Sequence, residues 1–511
     1  MYLKVMRAIT RELSSCPARS PRNTSSSKRH KVRAKAKPVA PFSDVPEPKG
    51  LPLIGTALDY TRWRNFDASY LGEHWNKRHQ DLGSIYKENI IPGITEYIVY
   101  TSSPKDTEIM LRSEDQYPQR DPLGPIQEIR LKLGEHQGLI NANGEEWYNL
   151  RRIVNQHFLS NSIIWLFSQR QYDVARDFAD YVERNLNEAS EVPDFAEALN
   201  KWACESTGVF AFDIRLGAFH DALDPELQQI IKCNRTMFEC MGRLMYGLPW
   251  WKYFNTKDMQ DLYEAHRGQV ESTKRHMNRI LKHTEPKDGL YTKFIFHNDQ
   301  LTAREKLMLM TEFFVAGIDT TSNSAIFFLY ALALDQEKQE KLRKEIFSVV
   351  DEYGVNGQSI NKMNYLHACV RETQRMFPFV NSLTRRYSKD IILSGYRVPA
   401  GTHILNTSNM VNSRNVDYFH EPDTFLPERW LAPVSVEKRR NTRFVMSGPF
   451  GIGLRMCPGR KFATQELKLL AIAMLIKYRI EYNKEPIKVA FRLVSFPSQK
   501  PQFNFYPITQ R

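Results

Sequence analysis

Cysteine is scarce: the chain has six in 511 residues, at positions 16, 204, 233, 240, 369 and 457. None forms a C-x-x-C or C-x-x-C-H run, and none stands at zinc spacing from histidines. This excludes a disulfide framework, a zinc finger and a covalently attached c-type heme, and it suits a reducing compartment. The N-terminal region has no apolar run of about 18 residues, so no membrane-spanning anchor is expected there. It also lacks the compact apolar core of a secretory signal. Internal repeats are missing, which sets solenoids and propellers aside. Acidic residues are missing from one place only. Residues 1–42 hold eleven Lys and Arg but a single acid, Glu12, and so carry ten of the thirteen net positive charges. The remaining chain is nearly balanced, which argues against a nucleic-acid-binding surface on the body.

That first segment is rich in arginine and serine. Its start, "MYLKVMRAITREL", places Lys4, Arg7 and Arg11 on one helical face, with Leu3, Met6, Ile9 and Leu13 largely on others. A mitochondrial transit peptide has this composition. A disordered basic arm lying against nucleic acid or anionic lipid is the competing reading. "PFSDVPEPKGLPLIGT" follows, and its prolines favour an extended, stiff lead into the folded part. Residues 1–42 are therefore expected to be a transit-like segment, and 43–511 a single large domain, because no flexible linker follows residue 56.

From Ser69 to about Phe379 helical stretches dominate. "TAREKLMLMTEFFVAGIDTTSNSAIFFLYALALDQ", Thr302 to Gln336, is apolar on most sides and predicts a buried core helix. Around Asp319–Asn323 it is too polar for a comfortable membrane span. Between Thr384 and Thr407 the pattern changes to short β-like runs broken by Gly and Pro. Helix returns after Cys457. The expected class is mainly α with a small β region.

"PFGIGLRMCPGRKFATQE", Pro449 to Glu466, surrounds one thiol with glycines and then opens into a helix. A buried apolar cysteine and an ordinary turn are the plain structural readings. A single axial thiolate to a heme iron needs no partner cysteine and suits the same arrangement. Three other segments accord with it. "ETQR" contains Glu372 and Arg375, "PERW" contains Arg429, and "AGIDTT" spans Ala316 to Thr321 inside the buried helix. With F-x-x-G-x-R-x-C-x-G at Phe450, Gly453, Arg455, Cys457 and Gly459, the chain resembles the cytochrome P-450 family of heme-thiolate monooxygenases. The resemblance runs from the proline-rich stretch to the C-terminus.

The resemblance implies the cytochrome P-450 fold, with heme b between the acid–alcohol helix and the cysteine loop. Cys457 would be the axial ligand, its thiolate pushing electron density to the iron. Gly453 and Gly459 would allow close backbone approach and unusual dihedrals, and Phe450 would shield the sulfur side. Trp147 and Arg151, four apart in "EEWYNLRR", would join Arg455 and Arg385 as donors to the heme propionates. Arg386 beside Arg385 leaves that assignment open. Glu372, Arg375 and Arg429 would form a buried structural network. A kink at Gly317 would widen the helix for dioxygen. There Thr320 would offer a hydrogen bond and Asp319 would relay protons.

The basic N-terminal segment points to the mitochondrial class: peripheral on the matrix side of the inner membrane, fed by a ferredoxin and its NADPH-dependent reductase. Arg460 and Lys461 after the thiolate loop, and Arg371 before the E-x-x-R glutamate, would form the ferredoxin-docking face. His367 stands where the class often has a second lysine, so docking is expected to be weaker or pH-dependent. Substrates of the class are lipophilic: sterols, secosteroids, ecdysteroids and some xenobiotics. "LPLIGT", "WWKYFNTK" and "CPGRKF" are similar to arthropod ecdysteroid 20-hydroxylases and to their relatives. An electron-independent heme-thiolate isomerase or dehydratase, and a heme-binding sensor, are the alternatives. The intact Asp319–Thr320 pair argues against both.

Overall fold

Thr302 begins the central helix with its own side chain. Its hydroxyl accepts the Glu305 N–H at 3.3 Å, and the Glu305 carboxylate accepts the Thr302 N–H at 2.7 Å. This capping box satisfies donors that the first turn leaves free. The helix then runs Ala303–Ala333, with Leu309, Phe314, Ile318, Ala325, Phe327 and Leu332 all buried. A helix apolar on most sides belongs in the core.

The computed structural model describes residues 38–508 apart from 62–63, 65, 159–160, 221–223, 284–290, 434–443 and 446–448. The transit-like segment therefore lies, up to residue 37, outside the described residues. Val39–Arg511 forms one unit. Its helices of ten residues or more are α1 (Leu71–Leu82), α2 (Gly124–Leu133), α3 (Gly144–Phe158), α4 (Asn161–Arg184), α5 (Phe195–Phe212), α6 (Pro225–Tyr246), α7 (Lys257–His283), α8 (Ala303–Ala333), α9 (Gln336–Tyr353), α10 (Asn364–Met376) and α11 (Arg460–Lys477). Helix α8 packs on α5, α6, α7, α10 and α11. The helix expected to reach Gln336 stops sooner because Asp335 caps the next one, accepting the Lys338 N–H at 3.1 Å. Helix α10 ends at Met376, two residues before Pro378.

The β region is larger than the sequence patterns indicate. The run 384–407 contains β3 (Leu383–Arg385), β4 (Ile391–Leu393), β5 (Tyr396–Val398) and β6 (His403–Asn406), after β1 (Ile85–Glu88) and β2 (Ile98–Thr101) far upstream. The four-stranded sheet has the order β1-β2-β6-β3, with β2 and β6 parallel and Ile98 opposite His403. Four more strands, β7 (Tyr478–Glu481), β8 (Val489–Arg492), β9 (Val494–Pro497) and β10 (Asn504–Pro507), follow α11. Strands of four residues leave too short a local pattern to read, whether paired nearby, as β8 with β9, or at a distance, as β7 with β10.

Beside the helical core, Glu372 and Arg375 are wholly buried and paired at 2.9 Å. Arg429 Nε and the Leu426 N–H donate to the same Glu372 oxygen at 2.9 and 3.0 Å, and Trp430 Nε1 to the other at 2.8 Å. Arg375 also donates to the Ser413 and Pro422 carbonyls at 2.7 Å each. Two buried charges survive because every lone pair and proton is matched. The network ties α10 to the chain that leads into the cysteine loop.

Candidate functional site

An internal cavity of about 600 Å³ lies between α8 and the cysteine loop. Ala316, Gly317 and Thr320 line it from α8, and Phe450, Arg455, Cys457 and Gly459 from the loop. The loop closes on itself where the Cys457 N–H donates to the Phe450 carbonyl at 2.7 Å. Gly453 sits at φ +81°, where a side chain would be strained, and a Cβ there would stand 2.5 Å from the Glu114 carboxylate. Gly459 has an ordinary φ of −78°, so the unusual dihedral expected there is not present. Its place is set by proximity to the sulfur: a Cβ on it would stand 3.9 Å from Cys457 Sγ.

The Cys457 side chain is exposed, and what it faces is the cavity. Burial away from bulk water pushes its pKa up. The Gly459 N–H, the Arg151 and Arg460 guanidiniums and the Arg460 N–H pull it down. Helix α11 also starts at Arg460 and directs its positive end toward the sulfur. A thiol so placed suits binding to a cation, which removes the proton outright.

Cations crowd the same cavity. Trp147 and Arg151 are buried one turn apart on α3. The Arg455 guanidinium lies 4.0 Å from the Trp147 ring centroid. It donates to the Pro118 and Ala142 carbonyls at 2.9 Å each and to Asn143 Oδ1 at 2.6 Å. Arg385 lines the cavity and pairs with Glu114 at 2.7 Å. Its neighbour Arg386 is not on the cavity wall and pairs with Asp121 and with Glu96 at 2.8 Å. Sequence reasoning missed Arg120 and His403, which also line the cavity. No motif marks either one; β6 and the Pro118–Asp121 segment bring them in.

These charges are short of anions. Burial, then repulsion from Arg120, Arg385 and Arg151, pushes Arg455 down to about 8. Burial and the Arg385 charge bring Arg120 to about 10, and burial brings Arg151 to about 10. Arg455 Nη1, Arg151 Nε and His403 Nε2 are buried without a hydrogen-bond partner among the described residues. Such a donor set fits a ligand carrying two carboxylates, as heme does, and Cys457 fits its iron.

On α8 the structure separates the acid from the alcohol. Thr320 faces the cavity, and its hydroxyl donates to the Ala316 carbonyl at 2.6 Å. Asp319 is not among the residues lining the cavity. It lies behind, where it accepts from Asn234 of α6, whose own oxygen accepts from Gln269 of α7 at 3.0 Å. Burial pushes Asp319 up to about 6, against the opposing effects of Arg235 and Asn234. Helix α8 runs through Gly317 without interruption. The glycine admits α5: a Cβ would stand 2.7 Å from Thr207 Oγ1. A second carboxyl, Glu466 of α11, lines the cavity near Ser206 and Thr321, and burial pushes it up to about 8. Nine residues past the cysteine, among Gln465, Lys468 and other polar residues of the same helix, it gave no recognisable sequence signal.

The expected docking residues lie on two helices that pack together, α10 and α11. Arg371 stacks on Trp430 at 4.2 Å, and Lys461 donates to Asn161 at 2.6 Å. Arg460 comes within 2.8 Å of Met456 Sδ. Burial, Lys468 and Arg371 push His367 down to about 4, which leaves the imidazole uncharged near neutral pH.

The family model "Cytochrome P450" matches residues 45–505. The chain is 30% identical to "Cytochrome P450 10" of Lymnaea stagnalis, covering 97% of this chain and 91% of that protein. It is 29% identical to "Probable cytochrome P450 12a5, mitochondrial" of Drosophila melanogaster, covering 91% of each. It is 28% identical to "1,25-dihydroxyvitamin D(3) 24-hydroxylase, mitochondrial" of Mus musculus, covering 95% of each. With a thiol and unmatched guanidiniums around one cavity, this chain belongs to the cytochrome P450 family of heme-thiolate monooxygenases, on its mitochondrial branch.

Proposed function

We propose that this enzyme hydroxylates a sterol-like lipophilic substrate in mitochondria, using electrons from a ferredoxin reduced by its NADPH-dependent partner. The observation that carries the reading is the cavity: apolar walls from Phe313, Phe328, Val370, Val380 and Leu405, with Thr320 and Cys457 on them. The relative named for 24-hydroxylation of 1,25-dihydroxyvitamin D(3) supports a substrate of that class.

Cys457 would hold the iron, and Arg151, Arg385 and Arg455, with Arg120 and His403, would hold the propionates. Trp147 supports Arg455, Phe450 keeps water from the sulfur, and Gly453 and Gly459 give the loop its close approach. Bound there, heme supplies dioxygen activation and transfer of one oxygen atom to a C–H bond. Thr320 offers its hydroxyl to dioxygen from the cavity wall, and Asp319, behind it, holds the proton to be passed forward.

Electrons arrive at the face made by Arg371, Arg460 and Lys461, attractive to an acidic ferredoxin. Residues 1–42 act as the import segment, and 43–511 as the catalytic domain. Among the described residues no helix is long and apolar enough to cross a membrane. Exposed Leu51, Leu53, Ile54, Trp250, Tyr253 and Phe254 support peripheral association with the inner membrane from the matrix side.

The test is reconstitution with mitochondrial ferredoxin, its reductase and NADPH against a panel of sterols, secosteroids and ecdysteroids. Hydroxylated product is expected, and none from Cys457→Ser. Turnover only with a microsomal flavoprotein reductase, or only on non-steroidal substrates, would overturn the reading.

A further inference from the structure

Helix α7 packs against α6 and α8, and a buried face of that kind should be apolar. This one is polar. At helical spacing it carries His266, Gln269, Ser272, Thr273 and His276, each 5% exposed or less. Two of them have partners. His266 meets Glu135 at 2.6 Å, and Gln269 donates to Asn234 at 3.0 Å. The other three do not: Ser272 Oγ, Thr273 Oγ1 and both ring nitrogens of His276 make no hydrogen bond among the described residues. Buried polar groups left bare are costly, and ordered water is the usual remedy where several converge.

The position of this face gives it a direction. At one end Gln269 orients Asn234, and Asn234 donates to Asp319 Oδ2. At the other, His276 packs on Phe212 and Phe314, with ring centroids 5.4 and 6.2 Å away. Phe314 stands only about 7.5 Å before Asp319 along α8. Outside His276 lie the charges that reach solvent: Asp224, Glu226, Arg275 and Arg279. Glu226 pairs there with Arg275, and with Arg279 at 3.1 Å, both arginines more than half exposed.

We infer that the polar face of α7 is a hydrated proton inlet, carrying protons from the surface at Glu226 past His276 and Thr273 to Asp319. The inference rests on the reading of Asp319 as the acid of the site. Only O–H and N–H bonds are made and broken. Solvent gives one proton at the outer end, Asp319 gains one at the inner end, and His276 and the waters finish each passage as they began. The Asn234 and Gln269 amides orient the carboxyl and carry no proton. Thr273 and Ser272 are positioning residues for the water.

The test uses the holoenzyme and has two readouts. A high-resolution crystal structure should show ordered water within hydrogen-bond reach of Thr273 Oγ1 and His276. A dry track there overturns the inlet. In turnover, Thr273→Val, which keeps shape and loses the hydroxyl, should raise the fraction of electrons lost to peroxide several-fold and enlarge the solvent isotope effect on product formation. Thr273→Ser should restore both. Substrate binding to the resting enzyme should be unchanged in each. Asp319→Asn is the reference. If it uncouples the enzyme and Thr273→Val does not, the inlet is wrong and the reading of Asp319 stands. If Asp319→Asn leaves coupling intact, the inlet falls with the reading beneath it.

Discussion

Asn143 holds Arg455 in place. Its Oδ1 accepts Arg455 Nη2 at 2.6 Å and the Arg120 N–H at 3.2 Å, while its Nδ2 donates to the Arg120 carbonyl at 3.0 Å. One neutral amide thus sets two of the cations that face the cavity, and no aliphatic side chain can replace it. Asn143→Ala should leave thiolate ligation intact but weaken heme retention by about 1–2 kcal/mol, or roughly ten-fold in the rate of heme loss. Transfer of heme to a scavenging apoprotein measures this. An unchanged rate would show that the arginines hold their places without the amide.

Thr320→Ala removes the alcohol that faces the cavity and leaves Asp319, held from behind by Asn234, where it is. The enzyme should keep its heme and bind substrate, but lose product per NADPH and release peroxide instead. Equal product per NADPH in variant and wild type would remove Thr320 from the chemistry.

Glu466 predicts a pH effect on stability. The folded protein binds its proton more tightly than the unfolded chain, with a pKa near 8 against 4.5. The stabilisation is therefore complete below about pH 4.5 and is lost as pH rises through 8, by about 1 kcal/mol per unit across that window. Glu466→Gln keeps the shape and has no proton to lose. Urea denaturation at pH 5.5 and 7.5 should show a clear fall in the wild type and a smaller one in the variant. Parallel profiles would mean that the carboxyl is already ionised when folded.

Reversing Arg460 and Lys461 to glutamate should raise the apparent ferredoxin KM and flatten its dependence on salt, because the attraction is screened over about 8 Å at physiological ionic strength. His367→Lys should act the other way, since the neutral imidazole there contributes no charge. Substrate-binding spectra should not change in Lys461→Glu alone, which separates docking from the action of Arg460 on Cys457. Intact ferredoxin kinetics in the double reversal would place docking on another face.

Taken by itself, the sequence determined those features whose physics is local. Helix α8 was legible because apolar residues on most sides admit one environment, and the end of α10 because proline cannot continue a helix. Cys457 stood out because glycines on both sides of one thiol have few other uses. Tertiary structure alone decided how polar groups from distant segments meet. It turned Arg385 inward and Arg386 outward, brought Arg120 and His403 to the cavity, and set Asn143 beneath Arg455. It also placed Asp319 behind the cavity wall while its neighbour Thr320 faced in. Adjacent residues on a helix point about 100° apart, so one dipeptide can serve two surroundings. Which side chain receives which depends on what α5, α6 and α7 bring to each side, and that is not written in the dipeptide.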